Sequence, residues 1–256
     1  MTNMNRYHRQ QTQAETLKYL EEHPEISQDT RVTQYTHAQH IPQNSINRPM
    51  QIYIAEMDTL EAVLYGQMVF ATKFCALIMG NDQKPGGGYL TGAGAQEESI
   101  CRCSNLPTCF NQIIYPITTF GTIFIENLKI IRESEANGFD FHVIPITCHG
   151  ILACAYDQPD LNDQGEFYSD ELEGTRNKVR AILDTCYLHQ QRHLILGAFG
   201  CGAFSNPPEQ VAEIFREVLS SVDYQNAFEI VIFAILDGPS TYNYEVFKDI
   251  LSPILN

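Results

Sequence analysis

The stretch that constrains this chain most is a glycine-rich segment that runs into an acidic helix start, KPGGGYLTGAGAQEES, from Lys84 to Ser99. Three consecutive glycines have no packing value, and each loses more conformational entropy on folding than alanine would. Such a run is typical of a backbone that passes very close to something or adopts dihedral angles that other residues avoid. The following AQEESICRC predicts a helix with Glu97 and Glu98 in its first turn, where the helix dipole favours acidic groups. The segment therefore predicts free backbone N–H groups beside two carboxylates, an arrangement suited to a phosphate-bearing ligand that is cleaved by an acid.

A second glycine-rich segment lies near the C-terminus, LGAFGCGAFSNPPEQVAEIFREVL, over residues 196–219. A buried strand runs into its glycines, and Asn206 followed by Pro207 predicts the N-cap and first residue of an amphipathic helix. Glycines between a strand and a helix N-terminus form a cradle for an anion. The spacing is neither a Walker A motif nor the dinucleotide-binding GxGxxG.

An α/β pattern begins at Gln51. Asp58 is the candidate N-cap of a helical run that starts near Leu60. The first glycine segment directly follows FCALIMGN, an apolar run expected of a central strand, and ligand loops in open α/β sheets lie at the carboxyl ends of such strands. The predicted strands are QIYIAE, FCALIMGN, TIFIEN, FHVIPIT, HLILGAF and EIVIFAIL.

The chain of 256 residues is long enough for one α/β domain with an appended segment. Residues 1–48 are expected to form a helical and linker extension, and residues 49–256 the catalytic domain. The extension holds one short helix over residues 13–23, which ends by His23 because Pro24 disfavours the helical conformation before it. The residues between this helix and the domain are expected to be a linker or an arm packed over the domain.

Composition limits the partners and the location of the protein. The formal net charge of −15 excludes nonspecific binding to nucleic acid or to an anionic membrane. The N-terminus has no apolar signal sequence, and no apolar run approaches the ~20 residues that a membrane span requires. The eight cysteines are expected to be reduced and mostly buried, in a soluble cytoplasmic or otherwise intracellular protein. The spacing of Cys101, Cys103 and Cys109 fits no familiar zinc pattern, so neither a metal nor a cofactor is expected.

Both glycine segments resemble one family. The first segment, in which GGG is followed by seven residues and then QEE, resembles the signature of poly(ADP-ribose) glycohydrolases, in particular the microbial form built on a macrodomain. The second segment contains GCGAF, which resembles the diphosphate loop of that family. The resemblance extends more weakly from about Gln51 to Phe247, with matches at Asp58-Thr59 and at Asp237 after the last strand. It implies a macrodomain-like three-layer α/β sandwich, in which helices flank a mixed central sheet.

The chain departs from the family pattern at three places. Ile78 stands where the family usually has Asn, and Cys148-His149-Gly150 replaces the Pro-Ala that often ends the middle strand. The extension before residue 48 matches nothing in the family pattern. The first two departures concern the walls of the pocket, so they affect substrate identity more than reaction class.

The resemblance implies a mechanism for cleaving an O- or N-glycosidic bond at a ribose anomeric carbon, which breaks through an oxocarbenium-like transition state. Glu98 is implied as the catalytic acid that afterwards activates water, and Glu97 as the residue that holds ribose hydroxyls. Adjacent helical residues point about 100° apart, so the two carboxylates are not expected to form the opposed pair of an ordinary glycosidase.

The resemblance also implies the ligand contacts. Phe204 is expected under the distal ribose, in the core, or in both roles, and Asp58 either accepts from the adenine amino group or serves only as an N-cap. The adenine platform is expected among Tyr242, Tyr244 and Phe247, although aromatic residues in such a position also fit a core role. The full set of expected ligand-binding residues is Gly86, Gly87, Gly88, Gln96, Gly200, Cys201, Gly202, Ala203, Phe204, Asp58 and Asn81.

Three functions remain open at this point. The first is a glycohydrolase that releases ADP-ribose from poly(ADP-ribose) ends, and the second is a hydrolase that removes single ADP-ribose units from modified proteins. The third is a reader that binds ADP-ribose without cleaving it, against which the presence of both Glu97 and Glu98 argues. The acidic charge would repel a long polyanion, so we expect engagement of one ADP-ribose unit or of a modified protein with a basic surface.

Overall fold

A computed structural model describes residues 2–37, 49–239 and 241–255, and these residues build one mixed sheet with helices on both faces. Seven strands are described: β1 Arg31–Tyr35, β2 Gln51–Ala55, β3 Cys75–Met79, β4 Thr122–Arg132, β5 Phe141–Ala153, β6 His193–Leu196 and β7 Ile230–Ala234. Their order across the sheet is β1-β4-β5-β3-β6-β7-β2. The strands from β5 to β2 are parallel, whereas β1 and β4 pair antiparallel at the other edge.

The described helices cover the sheet from two sides. They are α1 Thr2–Glu22, α2 Thr59–Phe70, α3 Gln96–Cys103, α4 Ser169–Leu188, α5 Pro208–Ser220 and α6 Asn243–Leu251. One apolar core joins the sheet to α4, α5 and α6, and a second core joins it to α2 and α3. This three-layer arrangement confirms the predicted fold class.

The predicted strands of the domain all form, but the N-terminal segment contains more structure than its sequence predicts. Helix α1 starts at Thr2, well before residue 13, and ends at Glu22 as Pro24 requires. Residues 31–35, expected to be linker or arm, form the edge strand β1 on β4. The strand was missed because RVTQY is polar and half-exposed, which removes the period-2 signal of a buried strand. The division at residue 48 stays a prediction, and residues 38–48 lie outside the described part of the chain.

The prediction that Cys148-His149-Gly150 ends the middle strand, which is β5, was wrong. Cys148, His149 and Gly150 lie inside β5, where His149 and Gly150 pair with β3 in parallel register. The strand continues to Ala153, and the residue that reaches the cavity described below is Ala155. FHVIPIT has a Pro and a polar end, which made the first half of a long strand look like a complete one.

Candidate active site

The two glycine-rich segments lie side by side because they follow neighbouring parallel strands. One connects β3 to α3 over residues 80–95, and the other connects β6 to α5 over residues 197–207. The carboxyl ends of parallel strands meet at one edge of a sheet, which is where open α/β sheets bind ligands. The fold thus brings together the two segments that the sequence singles out.

The first glycine loop wraps around the two glutamates of α3. The Gly88 N–H donates to Glu98 Oε1 at 2.8 Å, and the Asn81 N–H donates to Glu97 Oε2 at 2.9 Å. Gly87 has φ +53°, and a Cβ there would lie 2.6 Å from Glu98 Oε1. Only glycine permits both this backbone conformation and this approach, which explains the glycine run.

Both carboxylates are buried, at 3% exposure for Glu97 and 7% for Glu98. Glu97 Oε1 and Glu98 Oε2 have no hydrogen-bond partner in the described part of the chain. Burial raises the pKa of Glu97 to about 8; the hydrogen bond from Asn81 opposes this shift, and the nearby Glu98 charge adds to it. Desolvation of the Glu97 carboxyl therefore favours its protonated form near neutral pH.

The second glycine loop is held by Asn206. Its Nδ2 donates to the carbonyl oxygens of Tyr156, Gly200 and Phe204 at 2.7, 3.2 and 3.1 Å. Asn206 is therefore not the N-cap of α5, as its sequence position suggested; Pro207 is the N-cap, because the Asn206 amide closes the preceding loop instead. A Cβ at Gly202 would meet no atom within 4 Å.

A cavity of about 780 Å³ opens beside these loops. Of the expected ligand residues, its walls contain Asp58, Gln96, Gly200, Gly202, Ala203 and Phe204. Gly86, Gly87, Gly88, Asn81, Cys201, Glu97 and Glu98 do not line it. The two glutamates lie directly behind the wall, since Gly80 lines the cavity and the next residue, Asn81, holds Glu97 through its N–H.

Three of the expected ligand residues have their polar groups engaged within the protein. Gln96 accepts from the Met79 N–H at 2.8 Å and donates to Leu77 O at 2.6 Å, so its amide joins α3 to β3. The Asn81 Oδ1 accepts from the N–H groups of residues 83 and 84 and forms the turn that starts the loop. Burial raises the pKa of the Cys201 thiol, and its Sγ faces a backbone carbonyl, so this side chain offers no nucleophile.

None of the three candidate adenine platforms lines the cavity. Phe247 is fully buried in the core, Tyr244 lies against Lys248, and Tyr242 is largely exposed to solvent. Among the described residues, the one aromatic side chain in the cavity wall is Phe204. Phe204 also packs against the core, which confirms that expectation, whereas its contact with the distal ribose stays a prediction.

Asp58 caps α2 and lines the cavity at the same time. Its Oδ1 accepts from the Leu60 N–H at 2.6 Å and the Glu61 N–H at 3.4 Å, which confirms the predicted N-cap. Burial raises the pKa of Asp58, against those two hydrogen bonds. No described residue hydrogen-bonds to its Oδ2, which leaves this oxygen able to accept from an amino group of a ligand.

Three other cavity residues lie in segments that carry no sequence motif. Arg9 comes from α1, and Ser134 and Glu135 come from the turn between β4 and β5. Each is a polar residue in a segment without a motif, and only the packing of α1 and of this turn against α3 and α2 brings them to the cavity.

Within residues 2–37, 49–239 and 241–255 no group of His, Cys, Asp and Glu could hold a metal ion. The eight cysteines are buried and free. In the same part of the chain, no helix is both long and apolar enough to cross a membrane.

The fold and the paired glycine loops place this protein in the class of macrodomain-like α/β proteins, with a ligand cleft at the carboxyl edge of the sheet. Residues 2–120 match the family model of the microbial-type PARG catalytic domain, where PARG denotes poly(ADP-ribose) glycohydrolase. The match begins at residue 2, so the expectation that the extension lies outside the family pattern was wrong. Among curated proteins, no sequence matches the chain.

Solved structures of bacterial glycohydrolases share the fold over nearly the whole chain. Poly(ADP-ribose) glycohydrolase from Thermomonospora curvata is 22% identical with a TM-score of 0.79, covering 96% of this chain and 100% of that one. Its complex with the inhibitor ADP-HPD is 23% identical, with a TM-score of 0.76 and coverages of 95% and 99%. The enzyme from Deinococcus radiodurans with ADP-ribose bound is 26% identical, with a TM-score of 0.70 and coverages of 90% and 97%. These findings confirm the resemblance to microbial-type poly(ADP-ribose) glycohydrolases.

Proposed function

We propose that this protein is a glycohydrolase that releases ADP-ribose from the ends of poly(ADP-ribose). The observation that carries the proposal is the pair of buried carboxylates in the first turn of α3, next to a cavity large enough for a nucleotide. Each carboxylate has one oxygen without a hydrogen-bond partner among the described residues. A binding module would gain nothing from burying two acids whose desolvation costs stability. The relatives whose structures match are named as enzymes of this activity, and one of them holds ADP-ribose.

In the proposed reaction Glu98 is the acid and then the base. Its proton passes to the leaving-group oxygen as the bond from that oxygen to the ribose anomeric carbon breaks. Water then adds to the anomeric carbon, and its proton returns to Glu98. The products are free ADP-ribose and a polymer or acceptor that carries a hydroxyl.

The proton for this step starts on the neighbouring glutamate. Because the pKa of Glu97 is raised to about 8, the protein at neutral pH holds a proton on Glu97 before any ligand binds. A Cβ at Gly87 would lie 2.6 Å from Glu98 Oε1 and 3.4 Å from Glu97 Oε2, so the two carboxylates meet at one point on the loop. We propose that the proton moves from Glu97 to Glu98 when a ribose hydroxyl bridges them, after which Glu97 accepts from that hydroxyl.

Substrate entry requires the first glycine loop to move. The cavity reaches Gly80 but not Gly87 or Gly88, so the buried carboxylates are closed off from it. This movement would break the Gly88 N–H bond to Glu98 Oε1 and the bonds in which Gly88 O accepts from the N–H groups of Thr91 and Ala93 at 2.9 and 3.2 Å. The distal ribose would displace residues 84–88 to reach Glu98, while the diphosphate lies along the second loop through Gly200, Gly202 and the α5 N-terminus.

The alternative of a mono-ADP-ribosyl-protein hydrolase uses the same site, and the net charge of −15 favours it. The decisive experiment incubates the protein with labelled poly(ADP-ribose) and, separately, with mono-ADP-ribosylated protein, and measures free ADP-ribose. Release from the polymer supports the main proposal, and release from the modified protein alone supports the alternative. Binding of ADP-ribose without release from either substrate would leave only a reader and overturn the proposal.

A further inference from the structure

The cavity has two chemically different ends. One end is formed by the second glycine loop, whose backbone N–H groups suit an anion. The other end lies beyond β6 in the sheet order, where Asp237 follows β7 and Asp58 follows β2. Glu135, close to Asp58, and the apolar residues Ile235 and Leu236 complete this end. Carboxylates repel phosphate but accept hydrogen bonds from an amino group, so the nucleobase of a bound nucleotide belongs at this second end.

Arg9 on α1 lies at the nucleobase end. Its Nε donates to both carboxylate oxygens of Glu135 at 3.0 and 2.8 Å, and Glu135 is close enough to Asp58 for its charge to act on the pKa of that carboxyl. The turn that carries Glu135 is fastened to α2, since Ser134 Oγ donates to Glu61 Oε1 at 2.7 Å. Arg9 is the one Lys or Arg among the described residues that line the cavity.

The planar guanidinium of Arg9 packs against Gly94. The Cζ and Nη2 atoms lie 2.6 and 2.9 Å from the position that a Cβ at Gly94 would take, so the guanidinium rests on the bare backbone of Gly94. Its Nε edge is occupied by Glu135, and no hydrogen bond of Nη1 or Nη2 to a described residue is present. The side chain is 24% exposed and is part of the cavity wall.

Helix α1 is hydrogen-bonded to the first glycine loop and to α3, and these bonds fix the position of Arg9. Arg6 Nε donates to Thr91 O at 2.8 Å, and Thr16 Oγ1 donates to Arg102 O at 2.7 Å. Gln13 Nε2 donates to Cys101 O at 3.4 Å, near the end of α3. The helix thus spans from the first glycine loop to the last turn of α3 and carries Arg9 between them.

We propose that Arg9 is a specificity-determining residue whose planar guanidinium stacks on the purine base of the ligand. This inference rests on the proposed function, since it assigns the adenine of ADP-ribose to this end of the cavity. Arginine stacks on aromatic faces through its flat, weakly hydrated guanidinium, whereas the compact ammonium of lysine does not. Arg9 thereby supplies the flat surface that none of Tyr242, Tyr244 and Phe247 provides in the cavity wall.

The test compares Arg9→Ala, Arg9→Lys and wild type by calorimetric titration with ADP-ribose and by the kinetics of ADP-ribose release. We expect Arg9→Ala to weaken ADP-ribose binding roughly 10-fold and to raise KM by a similar factor, with kcat within twofold of wild type. Arg9→Lys is expected to bind as weakly as Arg9→Ala, because it keeps the charge and loses the plane. Lys18→Ala, on an exposed part of the same helix, is the control that leaves both quantities unchanged.

Three results overturn the assignment of Arg9. Unchanged binding in Arg9→Ala removes the contact, and full rescue by Arg9→Lys identifies a charge contact to phosphate instead of stacking. A fall in kcat with unchanged affinity assigns Arg9 to positioning of the glycine loop. If any of these results is obtained while wild type binds and cleaves normally, only the assignment of Arg9 is overturned and the proposed function stands. If wild type itself fails to bind ADP-ribose, both the assignment of Arg9 and the proposed function are overturned.

Discussion

Replacing Glu97 by Gln should remove most of a pH-dependent loss of stability in this protein. Burial raises the pKa of Glu97 from 4.5 to about 8, so the folded state binds this proton more tightly than the unfolded state does. A raised pKa contributes stability that is fully present below about pH 4.5 and is lost as the pH rises towards 8. At about 1.4 kcal/mol per pKa unit, a shift of this size corresponds to as much as roughly 5 kcal/mol across that range.

Glutamine is nearly isosteric with the protonated acid and cannot ionise. Urea unfolding at pH 5, 6, 7 and 8 should therefore give similar stabilities for Glu97→Gln and wild type at pH 5, and a growing advantage for the variant up to pH 8. The difference between the two proteins isolates Glu97 from the other titrating groups. Glu22→Gln makes the same chemical change at an exposed site and is expected to follow wild type at every pH. A difference between Glu97→Gln and wild type that does not change with pH would refute the reasoning.

Further predictions concern the loops and the cap. Gly87→Ala places a Cβ 2.6 Å from Glu98 Oε1 and should lower turnover by at least ~100-fold. The control is Gly165→Ala, at a glycine that also has a positive φ but where a Cβ would meet no atom within 4 Å. This control should lose only about 1–2 kcal/mol of unfolding free energy and no activity. Gly202→Ala adds a methyl in open space in the cavity wall, so calorimetry should show weaker ADP-ribose binding while the melting temperature stays unchanged. Equal affinity for wild type and this variant would exclude close approach of the ligand to Gly202. Asp58→Asn keeps a good N-cap, so the unfolding free energy should change by less than about 0.5 kcal/mol. ADP-ribose binding should weaken, because a charged hydrogen-bond acceptor is lost. A large loss of stability would mean that the carboxylate matters mainly as a cap.

The sequence predicts the centre of the fold well because the signals there are local. Buried parallel strands appear as continuous apolar runs, and FCALIMGN and EIVIFAIL became β3 and β7 at nearly the predicted residues. The glycine run before QEE is needed because the backbone adopts a positive φ at Gly87 and touches a carboxylate, and both requirements are visible as residue type.

Other parts of the site could not be predicted because they depend on packing between distant segments. Arg9 reaches the cavity only because α1 lies on α3, and nothing within residues 1–25 indicates that contact. The raised pKa of Glu97 is a second example, because it follows from burial of that carboxyl in the folded chain, which the hydrogen bond from Asn81 only partly opposes. The place of Asn206 before two prolines predicts an N-cap, yet its amide donates to the carbonyl oxygens of Gly200 and Phe204 in the preceding loop and of Tyr156 after β5.

The measurement that tests the central claim most directly is ADP-ribose release by Glu98→Gln under single-turnover conditions, together with a calorimetric titration of the same variant with ADP-ribose. Glutamine keeps an oxygen to accept from the Gly88 N–H but cannot give a proton to the leaving group. We predict a rate lower by at least ~1000-fold, within the range typical of a lost general acid, and a Kd for ADP-ribose within a few-fold of wild type. Release at the wild-type rate would contradict the assignment of Glu98 as the acid.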